Sequence, residues 1–268
     1  MPRTTASPAA RALDVVHEGG YAAQRQPGMC VAAEDAASMK SEPEESRRTS
    51  RPVRIAIGPR TLAGELAVPA QAHGLVIFAN ASGSSRFTPR TKYLADALDR
   101  HRLATVLIDL LTEEEEAADE RAGRLKFDMR LLADRLVAIC TAIRVEPDVG
   151  GLPVGLLGAS TGGGAALWAA AQQPRDFRAI VSYGGRPDLV GSALGRVMVP
   201  TLFIVGGREQ QTIDVHQRAI ESMHNDTRLE VVLDATSQFE EAGALPHVAQ
   251  LAADWFNQHL TAESTESI

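Results

Sequence analysis

The chain has 268 residues, 44% of them hydrophobic and 23% charged, enough to bury one substantial core, and one main α/β domain is the expectation at this length. Its 27 Lys and Arg against 34 Asp and Glu give a formal net charge of −7, which offers no attraction to nucleic-acid phosphates or to anionic membranes. Cys30 and Cys140 are the two cysteines; they provide neither a disulfide framework nor a metal-ligand spacing, and a reducing compartment follows.

Residues 1–51 mix Ala, Ser, Pro, Glu and Arg without a sustained apolar period, and Ser41 to Arg48 is a solvated charge run. The composition predicts a disordered N-terminal segment. No apolar stretch suits a secretory signal, and Glu34, Asp35, Glu42, Glu44 and Glu45 argue against a transit peptide, so a cytoplasmic location is expected. Residues 52–262 are expected to form the domain.

Val53 to Ile57 and Leu62 to Val68 flank Gly58-Pro59 and predict an antiparallel hairpin. The later strands are short and evenly apolar: Leu75–Ala79, Thr105–Ile108, Val154–Leu157, Ala179–Ser182, Thr201–Val205 and Glu230–Leu233. Runs of that kind predict strands buried on both faces of a parallel sheet. Between them, Thr112 followed by Glu113 to Glu116 is a capping-box pattern, a helix start rather than a metal site. Leu125, Met129, Leu132, Leu136, Ile139 and Ile143 then recur at three- and four-residue spacing and predict one core-facing helical stripe. A last helix passes through Val248, Leu251, Trp255 and Phe256. No internal repeat and no apolar run of membrane-spanning length is present. The alternation of strand and helix predicts a doubly wound α/β fold, its mostly parallel sheet covered by helices on both faces.

Gly158-Ala159-Ser160-Thr161-Gly162 lies between the predicted strand Val154–Leu157 and a small-residue helix, the strand-turn-helix context of a nucleophile elbow. Gly158, Gly162 and Gly163 leave room for a strained turn. In this context Ser160 is the candidate nucleophile, and the alternative is a glycine-rich helix start that carries a serine.

Together with Phe78 to Arg86, Leu110 to Glu113, Ser182 to Leu189, Val205 to Gly207 and Phe239 to Glu241, this elbow resembles the dienelactone-hydrolase-like branch of the α/β-hydrolase superfamily, over about Pro52 to Leu260. The resemblance implies an eight-stranded α/β-hydrolase fold and hydrolysis of esters or lactones by a serine, acid and histidine triad. Ser160 falls on the nucleophile and the Thr161 amide on one oxyanion donor. The second donor loop, commonly His-Gly-Ser-Gly, reads Asn80-Ala81-Ser82-Gly83, so the Ala81 amide would serve with a methyl beside it. Glu209 falls on the acid, commonly Asp. The histidine position, in a segment that resembles Gly-Ala-Thr-His, reads Asp234-Ala235-Thr236-Ser237, so Ser237 stands at the usual place of the base.

Loss of the base from such a triad costs on the order of 10⁶ in turnover, and an oxyanion hole with binding effects leaves roughly 10³ to 10⁴ over water. His247 is the possible displaced base, but after Pro246 near a helix start it reads first as a solvent-facing residue. His216 reads as a surface or cap residue, His73, His101, His224 and His259 as surface or strand-flanking residues, and no metal site or cofactor is expected. Arg86, Arg90 and Arg186 are structural or surface arginines, or else attract an anionic ligand. Two functions stay open: a weak or altered serine hydrolase for a small ester, lactone or thioester, and a non-catalytic relative that binds a small ligand or a protein partner.

Overall fold

The computed structural model describes residues 48–81 and 86–261. Eight strands form one sheet in the order β1-β2-β4-β3-β5-β6-β7-β8. β1 (Thr49–Ile57) and β2 (Arg60–Val68) pair antiparallel, and β2 joins antiparallel to β4 (Leu103–Asp109). β3 (Gly74–Asn80), β4, β5 (Val154–Ala159), β6 (Ala179–Tyr183), β7 (Thr201–Gly206) and β8 (Thr227–Val232) run parallel. β3, β5, β6 and β7 are buried almost throughout, because helices cover both faces.

On one face α1 (Pro89–Arg100) and α6 (Ala244–His259) bury Leu94, Leu98, Val248, Ala252 and Phe256 against Val76, Phe78 and Leu157. On the other, α3 (Met129–Ile143) and α4 (Thr161–Gln172) bury Leu132, Leu136, Ile139, Ala166 and Leu167 against Ile77, Leu156 and Ile180. α5 (Gln210–Glu221) adds Ala219 to the same layer. Among the described residues no helix is long and apolar enough to cross a membrane.

Three expectations are corrected. The segment expected to be disordered lies outside the described residues as far as residue 47, but Thr49, Ser50 and Arg51 belong to β1, opposite Val68, Ala67 and Leu66. Polar residues suit this outermost strand, where one side faces solvent, and Arg51 also reaches Glu146 at 2.8 Å. β8 is an edge strand paired with β7 alone, so it is half-covered instead of buried, and Leu233 lies beyond it, exposed. The stripe from Leu125 to Ile143 does not continue the helix that starts at Thr112. α2 (Glu113–Ala122) ends at Gly123 in the left-handed conformation (φ 59°), and α3 restarts at Met129 with Asp128 as its N-cap.

The capping box is present: the Glu115 N–H donates to Thr112 Oγ1 at 3.3 Å and the Thr112 N–H to Glu115 Oε2 at 3.0 Å. Glu115 has a second task that spacing alone did not reveal. Its carboxylate accepts two bonds from the buried Arg135 guanidinium, at 2.6 and 2.7 Å, and meets Arg60 Nε at 2.6 Å. Arg135 also donates to the Leu110 carbonyl. The Arg135 bond holds the Glu115 carboxyl below its ordinary range against the opposing effect of burial.

Glu115→Ala is expected to cost about 3–5 kcal/mol in denaturant unfolding, because it leaves a buried guanidinium without its counter-ion. A depressed carboxylate contributes stability above its unfolded pKa and loses it as pH falls through the folded value. The variant should therefore lose less stability on acidification than the parent, and equal acid sensitivity would refute this role.

Candidate active site

Ser160 sits between the end of β5 and the first residue of α4, with φ 48° and ψ −125°. A serine holds that left-handed φ only where the surroundings enforce it. They do so by contact. A Cβ on Gly162 would lie 1.9 Å from the Ala79 carbonyl oxygen of β3, one on Gly158 would lie 2.5 Å from Gly162 backbone atoms, and one on Gly163 would lie 2.3 Å from Ser182 Oγ. The small residues let α4 start directly over the strands. The Ser160 carbonyl accepts from the Gly163 and Arg186 amides at 3.2 and 3.1 Å, and the residue itself is exposed.

Strand order turns around β3, with β4 on one side and β5 on the other, so the elbow stands at a topological switch point beyond the C-terminal strand ends, where crevices form in such sheets. A cavity of about 630 Å³ opens there, lined by Ser160, Glu209 and Ser237 and, around them, by Tyr183, Arg186 and His216. The three residues that the sequence placed at the nucleophile, acid and base positions thus share one cavity.

Glu209 follows β7 as the N-cap residue of α5, and Ser237 lies on the loop after β8. That loop is held close to the sheet: a Cβ on Gly206 would meet the Thr236 carbonyl carbon at 2.4 Å, and the Arg208 amide donates to the Ala235 carbonyl at 3.0 Å. Phe239, buried with φ 50°, packs on Tyr183 at a centroid distance of 6.2 Å. The Ser237 hydroxyl donates to Glu209 Oε2 and the Ser237 amide to Oε1, at 3.2 Å for the amide; Thr212 Oγ1 adds a third bond at 3.1 Å. The Ser237 hydroxyl is the main cause that holds the Glu209 carboxyl below its ordinary range, with burial opposing. Tyr183 is fully buried and its phenol is pushed up to about 12 by burial.

The oxyanion positions are placed differently. Thr161 is the first residue of α4, so its amide is one of the helix-start N–H groups that lack an intrahelical acceptor. Ala81 follows β3 with its side chain buried among core residues, so its methyl packs inward and is not part of the cavity lining. Ser82 and Gly83 lie outside the described residues.

One histidine assignment holds and one changes. His247 is exposed in the first turn of α6 and does not line the cavity. Its exposure follows from the helix stripe, which turns Ala244 and Val248 inward. His216, expected at the surface, is fully buried on α5 and lines the cavity. Its Nδ1 faces the Thr212 carbonyl at 2.8 Å, its ring packs edge-on against Phe203 at 5.1 Å, and burial lowers its pKa. The signal that could have found it is the run Thr212, His216, Ala219 and Met223 at helical spacing. The three arginines also separate. Arg86 is paired with Asp109; Arg186 and Arg90 both line the cavity, the first paired with Asp188 and the second, among the described residues, with only a 3.7 Å contact to exposed Glu240.

A serine on a strained strand-to-helix turn, followed in chain order by a carboxylate after β7 and a loop residue after β8 that touches it, defines an α/β-hydrolase. The family described as "Putative esterase" matches residues 46–264. The chain belongs to this esterase family, as a dienelactone-hydrolase-like α/β-hydrolase. It is similar to the crystal structure of a dienelactone hydrolase from Anabaena variabilis ATCC 29413, with 48% identity over 80% of this chain and 99% of that one and a TM-score of 0.77. A dienelactone hydrolase-like promiscuous phosphotriesterase from metagenomic libraries shares the fold at 20% identity, over 79% of this chain and 98% of that one, with a TM-score of 0.66. The "Putative phosphoribosyl transferase" of Mycobacterium tuberculosis is 50% identical over 208 residues, which are 78% of this chain and 46% of that protein, so the chain spans about half the length of this curated relative.

Gly162→Ala is expected to displace the elbow, because its methyl would overlap the Ala79 carbonyl. Labelling of Ser160 by a serine-directed phosphonate should fall at least tenfold relative to Gly151→Ala, whose Cβ has open space around it. Equal labelling of the two variants would show that the contact does not set the turn.

Proposed function

We propose that the protein hydrolyses a small ester, lactone or thioester with Ser160 as nucleophile, at a low rate, because the acid–base half of its machinery is reduced to Glu209 and Ser237. Ser160 Oγ would attack the carbonyl carbon while the Thr161 and Ala81 amides hold the developing oxyanion. The serine proton then has to pass to water, or through the Ser237 hydroxyl to Glu209. A carboxylate held below its ordinary range is a poor acceptor at neutral pH, since general-base efficiency is best near the operating pH. The observation that carries the proposal is the engagement of both Glu209 oxygens by Ser237, where a working triad would present an imidazole.

The same bonds favour a second reading, a member that binds a small ligand or a protein partner without turnover, since Glu209 is satisfied by three donors. Under either reading we place the protein in the cytoplasm. Its net charge of −7 argues against nucleic acid and anionic membrane as partners.

Ser237→His is expected to raise hydrolysis of a small activated ester at least tenfold, equivalent to about 1.4 kcal/mol of the barrier. Phosphonate labelling of Ser160 in the parent chain separates the two readings, because it reports an activated hydroxyl. A folded Ser237→His protein no faster than the parent would end the proposal of a reduced triad, and an unlabelled parent would favour the binding protein.

A further inference from the structure

At the other end of the sheet, a second cavity of about 510 Å³ is lined by Gln71, His73, Arg100, His101, Arg102 and Asn257. Gln71 and His73 precede β3, residues 100–102 precede β4, and Asn257 comes from the last turn of α6. These are N-terminal strand ends, whereas Ser160, Glu209 and Ser237 follow the C-terminal ends of β5, β7 and β8. The cavity is therefore separate from the nucleophile's.

Its charge is one-sided in a protein that is acidic overall. No carboxylate is among the described lining residues. The neighbouring Asp99 is not part of the lining; its Oδ1 lies 3.5 Å from Arg48 Nε without a hydrogen bond. Among the described residues Arg100 has no ion pair, and Arg102 donates only to the neutral Gln71 Oε1, at 3.3 Å. The C-termini of α1 and α6 each bring about half a negative charge, so together they offset roughly one arginine and leave the other uncompensated. The Asn257 amide group lies 3.0 Å from His101 Nδ1, so amide and imidazole meet beside the two arginines. Burial is the main cause that lowers the pKa of His73; a hydrogen bond with Asn257 opposes it, and the nearby Arg102 charge adds to the lowering.

Backbone strain points to the same place. Gln71 (φ 55°) and Arg102 (φ 57°) are two of the five non-glycine residues with positive φ among the described residues, and Ser160 is another. Glycine would adopt that conformation at no steric penalty. Instead both positions carry long polar side chains that meet at the cavity.

We propose that this cavity binds a small, multiply charged anion of the phosphate or phosphate-ester class. Two guanidinium groups, imidazole and amide donors suit a ligand with several acceptor oxygens and more than one negative charge. The volume falls within the range of small-molecule sites.

The test is calorimetric titration of the full chain with inorganic pyrophosphate at low ionic strength. Saturable binding is expected in the parent, at least tenfold weaker in Arg100→Gln/Arg102→Gly and unchanged in Arg130→Gln, an exposed charge removed elsewhere. Glycine accepts the backbone of residue 102, and the exposed Arg100→Gln alone should already weaken binding if the double variant proves unstable. Phosphonate labelling of Ser160 should match the parent in all of them. The proposal is overturned if the parent shows no saturable binding, if the Arg100 variants bind as the parent does, or if only Arg90→Gln loses binding, which would put the anion in the nucleophile's cavity.

Discussion

The site is built on a steric constraint where β3, β5 and α4 converge. The Ala79 carbonyl of β3 occupies the space that a side chain at Gly162 would need, and Gly158 and Gly163 are enclosed in the same way. Ser160 is thereby forced into a left-handed backbone with its side chain outside the sheet. Everything chemical follows from that position, because the serine stands over the crevice that the strand order opens beside β5. The cost of the strained serine is carried by packing, since the neighbouring α4 residues are buried almost completely.

Electrostatics around the serine centres on Glu209. The fold brings a nucleophile, a carboxylate and a loop residue to one cavity, with a helix-start amide next to the nucleophile in the chain. Yet the carboxylate is bound by serine and threonine hydroxyls and an amide. Each of these donors stabilises the anion and weakens it as a base. An imidazole in the same place would be oriented by the carboxylate and would hold its own proton-accepting lone pair toward Ser160. A hydroxyl is too short and too weakly basic to do both.

The two ends of the sheet differ in charge. At the C-terminal end, Arg86 and Arg186 are matched by Asp109 and Asp188, while Glu209 adds a negative group and Arg90 a positive one to the nucleophile's cavity. At the N-terminal end, Arg100 and Arg102 stand with His73 and His101 around a cavity with no acidic described residue in its lining. Strain recurs at both ends, at Ser160 in one and at Gln71 and Arg102 in the other.

Local pattern determined a good deal of this protein. Apolar runs of strand length, glycines around Ser160 and the Thr112 capping box are short-range signals, and the hairpin, the parallel strands, the elbow and the start of α2 appear where those signals lie. The elbow was legible because steric demands confine it to small residues at fixed spacing. Tertiary structure alone decided the rest, because those features depend on partners distant in the chain. Whether β8 is central or at the edge depends on sheet order and not on its own residues. Glu115 reads as a cap until Arg135, 20 residues away, folds against it. His216 is buried because α5 packs its stripe on Phe203. Above all, the contact between Ser237 and Glu209 joins residues 28 apart, and the pairing of Gln71 with Arg102 joins residues 31 apart. Sequence spacing fixes which residues share a local turn or face, but only folding brings distant polar groups within hydrogen-bond reach.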